Sequence, residues 1–134
     1  MNDDSARARA LLEDDRFARH CGITLVEVGP GHAKASMPVQ PEHLNGAGCV
    51  QGGVYFTLAD FAFAAASNGH GMLAVAATAH IAFFRAVTSG VLVAEAQEVH
   101  AGKTLATYRV EVRDEAGQLA ALFTGTAFRK GTPL

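Results

Sequence analysis

Residues 51–69 read QGGVYFTLADFAFAAASNG, and the reading of this run decides the fold. From Val54 to Ser67 the apolar side chains of Val54, Tyr55, Phe56, Leu58, Phe61 and Phe63 cover every heading of a helix rather than one stripe. That pattern predicts a fully buried helix, about 20 Å long at ~1.5 Å per residue. Gly52-Gly53 opens it and Asn68-Gly69 ends it.

Upstream, Ile23, Leu25, Val26 and Val28 predict a strand, Gly29-Pro30-Gly31 a turn and Ala33 to Val39 a second strand, together a hairpin closed by Pro38 and Pro41. Residues 4–19 carry Leu11, Leu12 and Phe17 among many charges behind Asp3, Asp4 and Ser5, which predicts a short amphipathic helix on the surface. Downstream come four strand-like runs, Leu73 to Phe84, Val91 to His100, Thr104 to Arg113 and Leu119 to Arg129, split by glycine-containing turns. Period two is clearest where Ala106, Tyr108, Val110 and Val112 alternate with Thr107, Arg109, Glu111 and Arg113. One buried helix followed by long antiparallel strands is an α+β plan.

The chain has 134 residues, enough for one core, and residues 1–134 are read as a single domain with 1–19 as an N-terminal surface helix. Alanine (26) and glycine (14) make up about 30% of it, so backbones approach closely. A net charge of −2 offers no broad basic surface, and nucleic acid is not expected as a partner. No stretch has the ~18 apolar residues of a membrane span, and Cys21 and Cys49 form no ligand or disulfide pattern, so no membrane partner and a cytoplasmic location are expected. The six histidines show no compact ligand spacing, and no metal site and no cofactor are expected.

The 42 residues between Glu42 and Arg85 hold one formal charge, Asp60, where the chain average of 18% would place about seven or eight. A carboxylate inside an apolar helix must find a donor, face solvent, or take up a proton. The first-turn N–H groups beside Gly52 and Gly53 are unpaired by helix geometry, with the positive end of the dipole behind them, a setting that stabilises an oxyanion. Asp60 lies two turns further on, on nearly the same face as Gly53 and about 10 Å along the axis. That is too far for one small reacting group within a subunit, and it suits a site shared between two copies.

Leu44-Asn45-Gly46, Gln51-Gly52-Gly53, Leu58-Ala59-Asp60-x-Ala62-Phe63 and Asn68 resemble the PaaI-type branch of the hotdog-fold acyl-CoA thioesterases, as do Ile81-x-Phe83-Phe84-Arg85 and Gly102-Lys103-Thr104. The resemblance runs from about residue 15 to 130. It implies a long central helix wrapped by a curved antiparallel sheet, homodimers joined as a dimer of dimers, and active sites at the dimer interface. By the same resemblance Gly52 polarises the thioester carbonyl, the partner copy's Asp60 attacks it or activates water, and Asn45 orients that water or the acid. Gln51 stands where most relatives have histidine; with Gly53 it is expected to meet substrate.

A Ser or Thr that places water in relatives would align near Ala76, which makes Thr78, two residues on, a candidate on the same strand face. Arg85 and Lys103 are candidates for the coenzyme A phosphates. The resemblance implies hydrolysis of aryl-acyl (phenylacetyl-type) or medium-chain acyl-CoA. Two alternatives stand beside it: a domain that binds acyl-CoA or a partner protein without turnover, and a hydratase or dehydratase of the same fold.

Overall fold

The computed structural model describes residues 2–134. Two helices, α1 (Asp3–Glu13) and α2 (Arg16–Cys21), precede the hairpin of β1 (Thr24–Gly29) and β2 (His32–Pro38). A single 3-10 turn (Pro41–His43) leads to the long helix α3 (Gly52–Asn68). Then come β3 (Met72–Phe83), β4 (Val91–Ala101), β5 (Leu105–Arg113) and β6 (Leu119–Pro133). The six strands form one curved sheet, ordered β1-β2-β4-β5-β6-β3 with every neighbour antiparallel. Because α3 follows β2 and feeds β3 at the far edge, it must cross the inner face of the sheet. This is the hotdog arrangement, as expected.

The alanine excess has a place in it. Ala33, Ala35, Ala94, Ala96, Ala121 and Ala127 are fully buried on the sheet face that meets the helix, where larger side chains would hold the two layers apart. Gly125 is the limiting case, since a Cβ there would stand 2.9 Å from the Phe123 ring and 3.0 Å from the Phe63 ring. Asn68, 3% exposed, ties the helix end to the sheet: its Nδ2 donates to the carbonyls of Ala64 (2.9 Å) and Ala74 (3.2 Å), and its Oδ1 accepts from the Ala74 N–H (2.9 Å).

Three expectations need correction. The predicted single N-terminal helix is two, because the Asp15 side chain accepts from the Ala18 N–H (2.9 Å) and so starts a new helix at Arg16; Met1 lies outside the described residues. The inner side of α1 is covered, with Ser5, Ala8 and Leu12 buried. Second, α3 is not buried all round: Gly53 and Phe56 are exposed and Thr57, Asp60 and Ala64 half-buried, an i, i+3, i+4, i+7, i+11 stripe that the sheet leaves open.

The third concerns Thr78. A bulge in β3 leaves Ala77 unpaired, so Ala76 aligns with Ala127 while Thr78 aligns with Thr126. Thr78 therefore sits on the opposite sheet face from Ala76, beside the outward Thr126, and two-residue spacing does not put them together.

Candidate active site

The loop before α3 is built to present the first turn of that helix. His43, 5% exposed, accepts from the Gln40 N–H at Nδ1 (2.9 Å), so its Nε2 carries the proton donated to the Cys21 carbonyl (2.9 Å). The His43 carbonyl takes the Gln51 N–H at 2.9 Å. This histidine holds the loop against the N-terminal segment and does not border the cleft. Asn45 folds the next stretch, its Oδ1 accepting from the N–H groups of Ala47 (2.9 Å) and Cys49 (3.1 Å), which leaves the amide Nδ2 uncommitted among the described residues.

Gln51 caps the helix: its Oε1 accepts the Gly53 N–H at 2.6 Å. Of the two glycines, then, Gly53 has its donor engaged. Gly52 alone faces outward with an N–H that meets no acceptor among the described residues, at the positive end of a 17-residue helix. A Cβ on Gly52 would lie 3.2 Å from the tip of the Phe83 ring, so glycine is what lets that ring close over the backbone.

Around Gly52 opens a cleft of about 460 Å³ lined by Asn45, Cys49, Tyr55, Phe83, Phe84 and Arg85 among others. Its wall is apolar and aromatic: Tyr55 and Phe83 meet at 5.8 Å between ring centroids, and the Tyr55 hydroxyl is fixed by donating to the Arg85 carbonyl (3.2 Å). Arg85 stands at the rim, its guanidinium exposed and 4.0 Å from the Asp114 carboxylate. A carbonyl oxygen entering here meets one free backbone donor, an uncommitted amide and a nearby cation, with aromatic surface for the attached group.

Asp60 is not in this cleft. It is half-buried in the open stripe of α3, and neither hydrogen bond nor ion pair reaches its carboxyl among the described residues. Burial pushes that carboxyl above the usual aspartate range, and repulsion from Asp15 adds to the effect. Asp15 helps line a second cleft, about 260 Å³, with Leu12, Ile23, Leu25 and Phe61.

The structure thus brings together Asn45, Gly52 and Arg85 of the predicted residues and leaves the rest apart. Gln51 and Gly53 are occupied with each other, Thr78 is exposed on the outer sheet face, and Lys103 is exposed in the turn between β4 and β5. The cleft residues Cys49, Tyr55, Phe83 and Phe84 carry no site role in the sequence reading. Phe83 and Phe84 were within reach, since they directly precede Arg85 at the strand end; Tyr55 is masked by the apolar run around it.

The family model described as "Thioesterase superfamily" matches residues 47–121, from the loop before α3 into β6. The acyl-coenzyme A thioesterase PaaI of Escherichia coli is 38% identical over 125 residues, 92% of this chain and 89% of that protein. A putative esterase of Archaeoglobus fulgidus is 43% identical over 120 residues, 89% of this chain and 78% of that protein. Among solved structures, the PaaI protein from the phenylacetic acid degradation operon of E. coli superposes with a TM-score of 0.92 at 36% identity, over 97% of this chain and 96% of that one.

Proposed function

The chain belongs to the thioesterase superfamily and is a thioester hydrolase acting on acyl-CoA, and on that premise we propose that its substrates are aryl-acyl thioesters of the phenylacetyl type, ahead of medium-chain ones. The observation that carries the mechanism is the unengaged Gly52 N–H in a cleft walled by Tyr55, Phe83 and Phe84. Flat aromatic walls favour an aryl group through offset and edge contacts. The thioester oxygen sits against the Gly52 N–H, where the charge developing on it is stabilised by a donor already in place. Asn45 Nδ2 orients the water or the acid, and Arg85 meets the phosphates of coenzyme A, with Lys103 as the second candidate.

The carboxylate comes from a second copy. Gly52 and Asp60 are eight residues apart on one helix, about 12 Å along its axis, whereas reacting atoms must approach within about 3–3.5 Å. Two surfaces support self-association. The open stripe of α3 exposes Phe56 beside Asp60, and the edge strand β3 is exposed through six consecutive residues, Val75 to His80, with one backbone edge unpaired. Pairing β3 with its counterpart would cover that edge and bring each Asp60 toward the partner's cleft. The outward row of Val75, Phe128 and Leu105, each more than 40% exposed, supports further association into a dimer of dimers.

In that site Asp60 acts as general base on water or as the nucleophile; both need the same carboxylate in the same place. The thiolate of coenzyme A leaves and water completes hydrolysis with no cofactor. Among the described residues no helix is long and apolar enough to cross a membrane, and the cysteines are free, which supports a cytoplasmic setting.

Release of free thiol from a panel of acyl-CoAs tests the reading. Phenylacetyl-CoA should turn over fastest, and Asp60→Asn should lower kcat by about 10²–10⁴. Equal rates in both proteins would remove Asp60 from the mechanism, and intact acyl-CoA after long incubation with wild type would point to binding without turnover.

A further inference from the structure

Away from the cleft, on the outer face of the sheet, three side chains from three adjacent strands converge. His32 Nε2 lies 3.3 Å from Glu95 Oε2 and 3.7 Å from Glu27 Oε1, and one ligand atom from each of the three falls within 4.8 Å of the others. Zinc holds imidazole nitrogen and carboxylate oxygen at about 2.0–2.2 Å, which puts tetrahedral ligand atoms about 3.4 Å apart. Both distances from His32 are close to that spacing before any metal has drawn the ligands in.

The backbone explains how the third ligand arrives. Leu25 is buried on the inner face and pairs with Ala35, so unbroken alternation would turn Glu27 inward as well. The register slips between Leu25 and Glu27, with Val26 as the extra residue, and Glu27 pairs with Lys34 on the outer face. Glu95 also pairs with Lys34, from the other side. Lys34 therefore sits directly between two carboxylates, yet it makes no ion pair with either among the described residues, and both incline diagonally toward His32. The two carboxylates outweigh the single Lys34 ammonium between them and leave net negative charge for a divalent cation to neutralise.

We propose that Glu27, His32 and Glu95 form a binding site for a divalent first-row transition ion of the Zn²⁺ class, with solvent in the fourth position. The imidazole favours such an ion over Mg²⁺ or Ca²⁺, which prefer all-oxygen shells. Side-chain exposures of 35%, 53% and 44% for His32, Glu27 and Glu95 leave an open route for entry and room for the water. Sequence spacing hides the site, because the ligands stand 5 and 63 positions apart and meet only through strand pairing and a bulge.

Calorimetric titration of the full chain, stripped with chelator, with ZnCl₂ tests the site. Wild type should bind one Zn²⁺ per chain in the micromolar range and give no heat with MgCl₂. Glu27→Gln and His32→Asn should each weaken Zn²⁺ at least about ten-fold with unchanged circular dichroism, and Lys34→Met should tighten it by removing the adjacent positive charge. The absence of saturable Zn²⁺ binding below millimolar concentration would reduce the cluster to ordinary ion pairs. Wild-type affinity in both weakened variants would place the metal on other histidines. Either result overturns the proposal.

Discussion

A site divided between two copies predicts that two inactive variants restore activity when they share a dimer. Asp60→Asn removes the acid without changing its size. Gly52→Val fills the mouth of the cleft, because even the first carbon added there stands 3.2 Å from the Phe83 ring and the branches must displace it or block the carbonyl position. With about 12 Å of helix axis between Gly52 and Asp60, neither residue can complete a site with the other of its own chain. In a mixed dimer one site combines both substitutions, while the other combines an intact Gly52 with an intact Asp60. Random pairing at equal expression makes half the dimers mixed, with one working site in each, so the co-expressed preparation should recover about a quarter of wild-type thiol release. Each variant alone should fall by about 10² or more, by loss of the base or by steric exclusion of the carbonyl oxygen from the Gly52 N–H. The assay is initial-rate thiol release at matched protein concentration, comparing the co-expressed pair with the variants expressed separately. Residual activity no higher than the sum of the separate variants would refute the shared site and return Asp60 to a role within its own chain.

Three further outcomes follow from the buried polar groups and the tight core. The proposed role of Asp60 requires its ionised form, and its pKa lies above the usual range, so the acid limb of kcat/KM should fall above pH 3.8; a raised folded pKa favours the protonated form, so Asp60→Asn should be more stable than wild type at pH 7, with the gap closing below the ordinary carboxylate value in thermal melts. Tyr108, 1% exposed, donates to Glu98 Oε1 at 2.7 Å, and His70 Nε2 meets the same oxygen at 2.8 Å. Burial raises the Glu98 pKa but these hydrogen bonds outweigh it and leave the carboxyl below its ordinary range; Tyr108→Phe should therefore cost about 1.5–3 kcal/mol in urea unfolding at pH 7, shrinking as pH falls through the depressed Glu98 pKa. Gly125→Ala should destabilise by about 1–3 kcal/mol in the same assay, since its methyl would meet the Phe63 and Phe123 rings at 3.1 Å or less.

What could be read from the residues follows from where periodicity carries information. The alternation of Ala106 to Arg113 places β5 and its two faces correctly, because a half-covered strand writes its burial as period two. The stop at Asn68 and the entrance at Gly52 bound α3 for equally local reasons. Bulges defeat the same logic. In Val75-Ala76-Ala77-Thr78-Ala79 and in Leu25-Val26 no side chain contrasts with its neighbour strongly enough to mark the slipped position, so the facing of Thr78 and of Glu27 is decided by pairing with β6 and β2.

The central helix shows a deeper limit, and one that bears on function. Apolar residues on every heading of α3 predicted burial on every side, yet the chain's own sheet leaves the Gly53, Phe56, Thr57, Asp60 and Ala64 stripe open. Sequence records that a surface is to be covered and is silent on which molecule covers it. Hydropathy and charge therefore have to be read together. In the proposed shared site a second copy covers the apolar stripe that the chain's own sheet leaves open, and the single carboxylate in that stripe, held above its usual pKa with no partner among the described residues, is the group the second copy would need. The same reasoning explains why Gly52 and Asp60, the two residues most legible as chemistry, do not meet in one chain. The cleft around Gly52 has a donor, an amide and an aromatic wall but no base, and the base lies on the surface that a partner would cover.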